Sequence, residues 1–270
     1  MKVDIDNLRN WLYRREPNGR IMSQGLIFLG GVRIRACRCL QTTLPLLLSE
    51  ARVSNLRIKY RKYTADELII KEILTKQSYP FERFVLKNGS IIIDVGAHIG
   101  CFTLILAKMV KDVKVFSFEP QSDNYRILKR NVRLNKLGNV CVFKKGLSKD
   151  GKGRKLYLSP SNTGAHSISV IASNKYSIID CIALEDVLFN NGITKVDLLK
   201  LDCEGAEYEI LYSTSREYLD RIDRIIIEYH DFEDTGNRID ELIEFLSKKG
   251  FKSEIVKRYS QISGLAYFSR

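Results

Sequence analysis

The sequence predicts an α/β fold, a mostly parallel sheet with helices on both faces. Three observations point there. From residue 90 onward, apolar strand-like runs alternate with helical stretches through the rest of the chain. The run at 91–95 is continuously apolar but for Asp94, as a strand buried on both sides must be. A glycine-bearing turn follows it and opens a helix.

Taken in order, the first strand is 91–95 and a helix over 102–110 follows it. A strand at 113–118, a helix at 123–135 and a strand at 140–144 come next. A loop-rich insert then carries short strands near 155–158 and 178–182. A short helix at 184–190 leads to a strand at 196–201 and a helix at 206–212. The strand 224–229, a helix at 238–248 and a final antiparallel pair, 251–256 with 266–269, complete the region. Ahead of it, residues 1–85 read as a basic, mainly helical extension, and 86–270 as the ligand-binding domain. Asn18-Gly19 marks a turn. Thr64, with Glu67 three positions on, caps a helix running to about Thr75.

Composition narrows the class. With 270 residues, 44% of them hydrophobic, the chain can bury a sizeable core and needs no disulfide staples. The six cysteines, Cys37, Cys39, Cys101, Cys141, Cys181 and Cys203, form no CxxC pair, which argues against a zinc ribbon and reads as reduced thiols in a cytoplasmic protein. No signal-peptide core and no membrane-length apolar run is expected. The net charge of +12 is uneven: residues 1–62 hold 13 Lys+Arg against 4 Asp+Glu, leaving 31 against 28 for the remainder. That segment suits an anionic partner or peripheral contact with a membrane surface, unless it is simply a solvated basic face.

The strongest local signal is Asp94-Val-Gly96-Ala97-His98-Ile-Gly100. Its glycines permit a sharp turn and close approach of the backbone to a ligand, and the helix behind it offers free N–H groups. The spacing is not GxGxxG, so a dinucleotide is not indicated. Glu119, followed by Pro120, ends the next strand 25 positions after Asp94. Ligands of parallel α/β sheets sit beyond the carboxyl ends of the strands, so Glu119 and the glycine turn share one crevice. An acid there accepts hydrogen bonds from both ribose hydroxyls. The pair fits a nucleoside cofactor without a pyrophosphate, which S-adenosylmethionine is. Thr103, on the following helix, is also assigned to the cofactor site, and Ser148 and Asp150 are candidates near the adenine.

A third element is Val196-Asp197-Leu-Leu-Lys200-Leu-Asp202-Cys203-Glu204-Gly205-Ala-Glu207. With the DVGAHIG turn, the FEPQSDNYRILKRNVRLN segment and IIIEYHD, it resembles the FkbM family of S-adenosylmethionine-dependent methyltransferases over about residues 60–232. The resemblance implies a Rossmann-like class I methyltransferase fold with a seven-stranded sheet, and methylation of hydroxyl groups. It matches Asp94, Gly96 and Gly100 to the cofactor turn, Glu119 to the ribose-binding acid, and Asp202, Glu204 and Gly205 to the acidic motif. Residues 162–169 resemble the family's small-residue segment lining the site. His98 stands where the family often has Asn, and Cys101 where it often has an aromatic residue.

Methyl transfer to a hydroxyl needs orientation and a base for the departing proton. Asp202, Glu204 and His230 end two strands that face the crevice, so Asp202 or His230 is expected as base, with Glu204 orienting acceptor or cofactor. Those residues with Asp231 could also bind a divalent ion, but no metal site is assigned. The expected acceptor is a hydroxyl on a sugar, glycan or other small molecule. Two alternatives remain open: ribose methylation of a nucleic acid, suggested by the basic N-terminus, and a non-catalytic partner- or membrane-binding module.

Overall fold

The seven-stranded sheet at the centre of the protein has a sequence-order signature that decides its class. In the computed structural model its strands run in the order 252–258, 263–269, 224–230, 198–201, 91–95, 114–118 and 140–143. The model describes residues 48–53, 55–74, 79–157, 175–231 and 236–270, and the backbone at 28–29 and 32–33. Among them, β1 (Phe28–Leu29) and β2 (Val32–Arg33) pair antiparallel, within the first of two compact units, Met1–Leu46 and Leu47–Arg270.

The second unit opens with a hairpin, β3 (Leu48–Val53) and β4 (Leu56–Arg61). Residues 48–61, expected within a mainly helical extension, form this hairpin instead, and most of residues 1–46 lie outside the described residues. Leu56, Ile58 and Tyr60 alternate with Arg57 and Lys59, and the apolar set is buried, as a one-sided strand requires. Helix α1 (Ala65–Leu74) follows where the capping pattern placed it: the Asp66 N–H donates to Thr64 Oγ1 (3.2 Å).

Strand β5 (Ile91–Val95) lies between β6 (Lys114–Phe118) and β12 (Leu198–Leu201), parallel to both. Its alternation separates two cores. Ile93 and Val95 join helices α4 (Leu184–Asn190), α5 (Glu207–Ser213) and α7 (Ile239–Lys248) on one face. Ile92 joins α1, α2 (Cys101–Met109), α3 (Ser122–Leu134) and the hairpin on the other. Each fully buried Ile, Leu or Phe contributes roughly 1.5–3 kcal/mol.

Strands β7 (Val140–Phe143) and β13 (Arg224–His230) extend the parallel set. The expected terminal pair is β14 (Lys252–Arg258) and β15 (Ser263–Ser269), with β15 inserted antiparallel between β13 and β14. The insert holds β8 (Gly146–Leu147), β9 (Arg154–Tyr157), β10 (Tyr176–Ile179) and β11 (Cys181–Ile182) as two small two-stranded pairs. The short α6 (Arg216–Leu219) was not anticipated. Cys101, Cys141, Cys181 and Cys203 are free thiols, whereas Cys37, Cys39, Asn18-Gly19 and residues 162–169 lie outside the described residues. Among the described residues no helix is long and apolar enough to cross a membrane.

Candidate active site

Among the described residues, the glycine turn, Glu119, the 202–207 motif and His230 lie at or just beyond the carboxyl ends of parallel strands β5, β6, β12 and β13. The turn after β5 is tight. A Cβ on Gly96 (φ +74°) would stand 1.8 Å from the Asp202 carbonyl oxygen, so only glycine lets the loops after β5 and β12 touch. The N–H groups of Gly96 and Ala97 both donate to the Phe118 carbonyl (3.0 Å), tying the turn to the end of β6.

Glu119 lies at that end, buried. The His98 N–H donates to its Oε2 and the Gln121 N–H to its Oε1, both at 2.8 Å. Burial pushes the carboxyl up to about 7, against those N–H bonds, the Lys200 charge and a hydrogen bond from Asn124. Pro120 follows, partly buried, and Gln121 caps α3 by accepting from the Asp123 and Asn124 N–H groups.

Not every expected cofactor residue faces the crevice. Asp94 and Thr103 are fully buried: the Thr103 hydroxyl donates to Asp94 Oδ2 (2.5 Å) and lies 2.8 Å from the Ser117 hydroxyl. Ser148 is also fully buried and donates to the Lys152 carbonyl (3.2 Å), while Asp150 pairs with Arg154 (2.7 Å). The His98 ring points behind the turn, its Nε2 3.3 Å from Asp66 Oδ1.

Lys200, quoted in the motif but given no role, is the electrostatic centre. Its Nζ donates to the Gly96 carbonyl (2.8 Å) and stands 3.3 Å from Asp94 Oδ1 and 3.2 Å from Asp202 Oδ2. Burial alone would lower its pKa, but Asp202 and Asp94 outweigh it and raise it. Register explains the meeting, because Lys200 pairs with Asp94 across β12 and β5. Tyr79, for which the sequence offers no signal, donates from its hydroxyl to Asp202 Oδ2 (3.3 Å).

Beyond β12, Glu204 takes a left-handed backbone (φ 54°), unusual for a residue with a Cβ. Glu207 fixes that turn: buried, it accepts from the Cys203 N–H (2.7 Å) and the Gly205 N–H (2.8 Å). His230, at the end of β13, lies between the two, Nε2 3.5 Å from Glu204 and Nδ1 3.7 Å from Glu207. Burial would lower the imidazole, but Glu207, Glu204 and Asp202 overcome it and push it up to about 10. Burial raises Glu204 to about 7, against the His230 charge. Burial and then the Asp202 charge raise Glu228 to about 8. Asp231 turns away and bonds the Tyr208 hydroxyl and the Ile239 N–H. Among the described residues no group of three or more His, Cys, Asp or Glu could hold a metal ion.

A parallel sheet with one reversed strand near its edge, a glycine turn after its central strand and an acid after the next form the Rossmann-like arrangement expected of a class I methyltransferase. The Methyltransferase FkbM domain model matches residues 94–253, and the chain belongs to that family. S-adenosylmethionine is therefore its cofactor, and the residues fit it. The Gly96 turn leaves no room for a side chain, and Glu119, which accepts the His98 and Gln121 N–H groups and an Asn124 side-chain bond, keeps an acceptor position for a ribose hydroxyl.

Among relatives, the chain is 28% identical to Methyltransferase sdnD of Sordaria araneosa, over 68% of this chain and 82% of that protein. It is 25% identical to the 31-O-demethyl-FK506 methyltransferase FkbM of Streptomyces tacrolimicus, over 68% of this chain and 81% of the relative. It is 27% identical to the hexuronic acid methyltransferase AglP of Haloferax volcanii, over 63% and 67%.

Proposed function

We propose that this protein methylates a hydroxyl group of a sugar, glycan or other small molecule. The observation that carries this reading is a buried carboxylate, Glu119, at the end of β6, with an acid–imidazole pair, Glu204 and His230, at the ends of β12 and β13. Both lie at the same edge of the sheet. Two relatives named for O-demethyl-FK506 and hexuronic acid methylation favour a hydroxyl-rich acceptor.

When bound, the cofactor supplies an electrophilic methyl group on a sulfonium. Glu119 and the Gly96–Gly100 turn hold its nucleoside end, and Lys200 keeps the turn and Asp202 in register. Asp94, Thr103 and Ser148 serve from behind the surface. The base assignment moves to Glu204. His230 carries its proton at neutral pH and cannot accept another, whereas a carboxylate near 7 is matched to taking the acceptor's proton. The acceptor hydroxyl's proton would pass to Glu204, and the adjacent His230 imidazolium steadies that carboxylate beforehand. Orientation supplies roughly 7–11 kcal/mol at best and the base about 10²–10⁴-fold.

The test is calorimetric titration with S-adenosylmethionine and S-adenosylhomocysteine, followed by labelled methyl transfer to a panel of acceptors, glycans first. Micromolar binding lost in Glu119→Ala, with label on a hydroxyl, is expected. Equal binding by wild type and Glu119→Ala, or label only on nitrogen or carbon, would sink the reading.

A further inference from the structure

The segment ahead of the family-matched region holds a buried ion pair, Arg61 and Asp66, that touches two residues bonded to Glu119, His98 and Asn124. Arg61, the last residue of β4, holds Asp66 of α1 through two side-chain bonds, Nε to Oδ2 (2.9 Å) and Nη2 to Oδ1 (2.7 Å). The Arg61 N–H adds a third, to Oδ2 (2.8 Å). Asp66 is fully buried and Arg61 nearly so. A buried pair of this kind is weak evidence for stability, because desolvation offsets much of the attraction. Its reach explains more than its energy does.

Two routes lead from it to the ribose acid. Asp66 Oδ1 lies 3.3 Å from His98 Nε2, so the pair anchors the ring of a residue held at φ 51°, whose own N–H donates to Glu119 Oε2. A left-handed histidine persists only where its surroundings impose it. Along the second route, the Arg61 Nη2 donates to Asn124 Oδ1 (2.7 Å). Arginine only donates, so it fixes which end of the amide is the oxygen. The amide NH₂ is left to face Glu119, which the Asn124 side chain hydrogen-bonds.

The hairpin that carries Arg61 is itself registered on α3. Asn131 accepts from the Lys59 N–H (2.7 Å) and donates to the Lys59 and Ile99 carbonyls (3.0 and 2.8 Å). Asn135 accepts from the Arg57 N–H (2.9 Å) and donates to the Arg57 carbonyl (2.7 Å). Those amides supply β4 with the backbone partners that a neighbouring strand would otherwise give, and one of them also grips the cofactor turn.

From these contacts we infer that Arg61 and Asp66 are positioning residues for the cofactor: they set the Glu119 carboxylate, through His98 and Asn124, to receive the ribose hydroxyls. This rests on the reading that Glu119 binds the ribose. The hairpin and α1 are then part of the cofactor site, although they precede the matched domain.

The test compares titrations with S-adenosylhomocysteine and its 2′-deoxy analogue. Wild type should prefer the ribose form by about tenfold, the worth of a hydrogen bond to a charged acceptor. The double variant Arg61→Met/Asp66→Leu removes both charges together, so no lone buried charge remains. It should stay folded by circular dichroism yet lose most of that preference, and in a Glu119→Gln background it should change the ratio no further. Asn124→Leu reports the second route alone and serves where the double variant does not fold. A simple loss of stability would weaken both ligands equally and leave the ratio intact. If wild type discriminates, Glu119→Gln does not, and folded Arg61→Met/Asp66→Leu or Asn124→Leu still does, the inference falls while the Glu119 reading stands. If wild type shows no preference, the Glu119 reading falls and takes the inference with it.

Discussion

Lowering the pH should weaken cofactor binding, and Glu119 sets the scale. Its carboxyl titrates near 7, because burial opposes ionisation more strongly than the His98 and Gln121 N–H bonds, the Lys200 charge and Asn124 support it. A ribose hydroxyl needs a free acceptor position on this carboxyl, which the ionised form keeps and the added proton takes. With a pKa near 7, about nine-tenths of the groups are ionised at pH 8 and about one-tenth at pH 6. The apparent Kd scales inversely with the competent fraction, so it should rise about tenfold across that range. Glu204, Glu228 and His230 titrate at about 7, 8 and 10 beside the same crevice, so wild type alone does not isolate the effect. The assay is therefore calorimetry with S-adenosylhomocysteine at pH 6, 7 and 8 on wild type and Glu119→Gln. The variant should bind weakly with a flat profile. Stability moves in the opposite sense: the folded carboxyl holds its proton where the unfolded one, near 4.5, has lost it. This group's contribution therefore falls as pH rises from about 4.5 to 7, and the ligand's thermal shift should be larger at pH 8 than at pH 6. A wild-type Kd constant from pH 6 to 8, or the same slope in Glu119→Gln, would refute the reasoning.

Three further outcomes follow from the geometry. Gly96→Ala places a Cβ 1.8 Å from the Asp202 carbonyl oxygen at a left-handed φ; thermal melts should show a lower Tm, and titration no detectable binding of S-adenosylhomocysteine. Lys200→Met leaves Asp94 buried without its cation, which should cost about 3–5 kcal/mol in denaturant unfolding; a loss below about 1 kcal/mol would mean that the pair is dispensable. Glu204→Gln should lower kcat by about 10²–10⁴ while leaving the Kd for S-adenosylhomocysteine within about twofold, and single-turnover methyl transfer separates the two.

Much of the sheet was legible because its strands are buried on both faces. Ile91 to Val95 reads as a strand from apolar continuity. Glu119 was legible for a related reason: an acid at the tip of such a strand has no packing role to explain it. The hairpin was missed although its signal was present. Leu56, Ile58 and Tyr60 alternate with Arg57 and Lys59, the period of a one-sided strand, over too few residues to stand out from the basic segment around them. Lys200 and Tyr79 were beyond reach for another reason. Their roles depend on register and tertiary approach: Lys200 meets Asp94 across neighbouring strands, and Tyr79 reaches Asp202 from a loop 123 residues earlier. His98 shows the same limit. Its departure from the usual Asn was visible, but the buried Asp66 that receives its ring was not.

The two catalytic-edge turns share a design that neither motif states. Among the described residues, five non-glycine residues have positive φ: Tyr63, His98, Asp112, Lys136 and Glu204. Asp112 and Lys136 follow helices, where a left-handed exit is common. His98 and Glu204 are different. Each lies three residues beyond a central strand, β5 or β12, and ahead of a helix, where nothing in the chain's local preference requires it. A left-handed residue with a Cβ costs on the order of 1–3 kcal/mol, so something behind each turn must hold it. Behind Glu204 stands Glu207, fully buried and bonded to the N–H groups on either side of it. Behind His98 stands Asp66, fully buried and bonded to Arg61. In both cases a charge has been taken out of water to fix backbone, and in both cases the fixed backbone borders the crevice. A merely stable fold would fill those two positions with apolar side chains at lower cost. The buried carboxylates make sense as preorganisation: they hold the N–H that orients Glu119 and the carboxylate of Glu204 before any ligand arrives, so that binding does not have to supply the ordering.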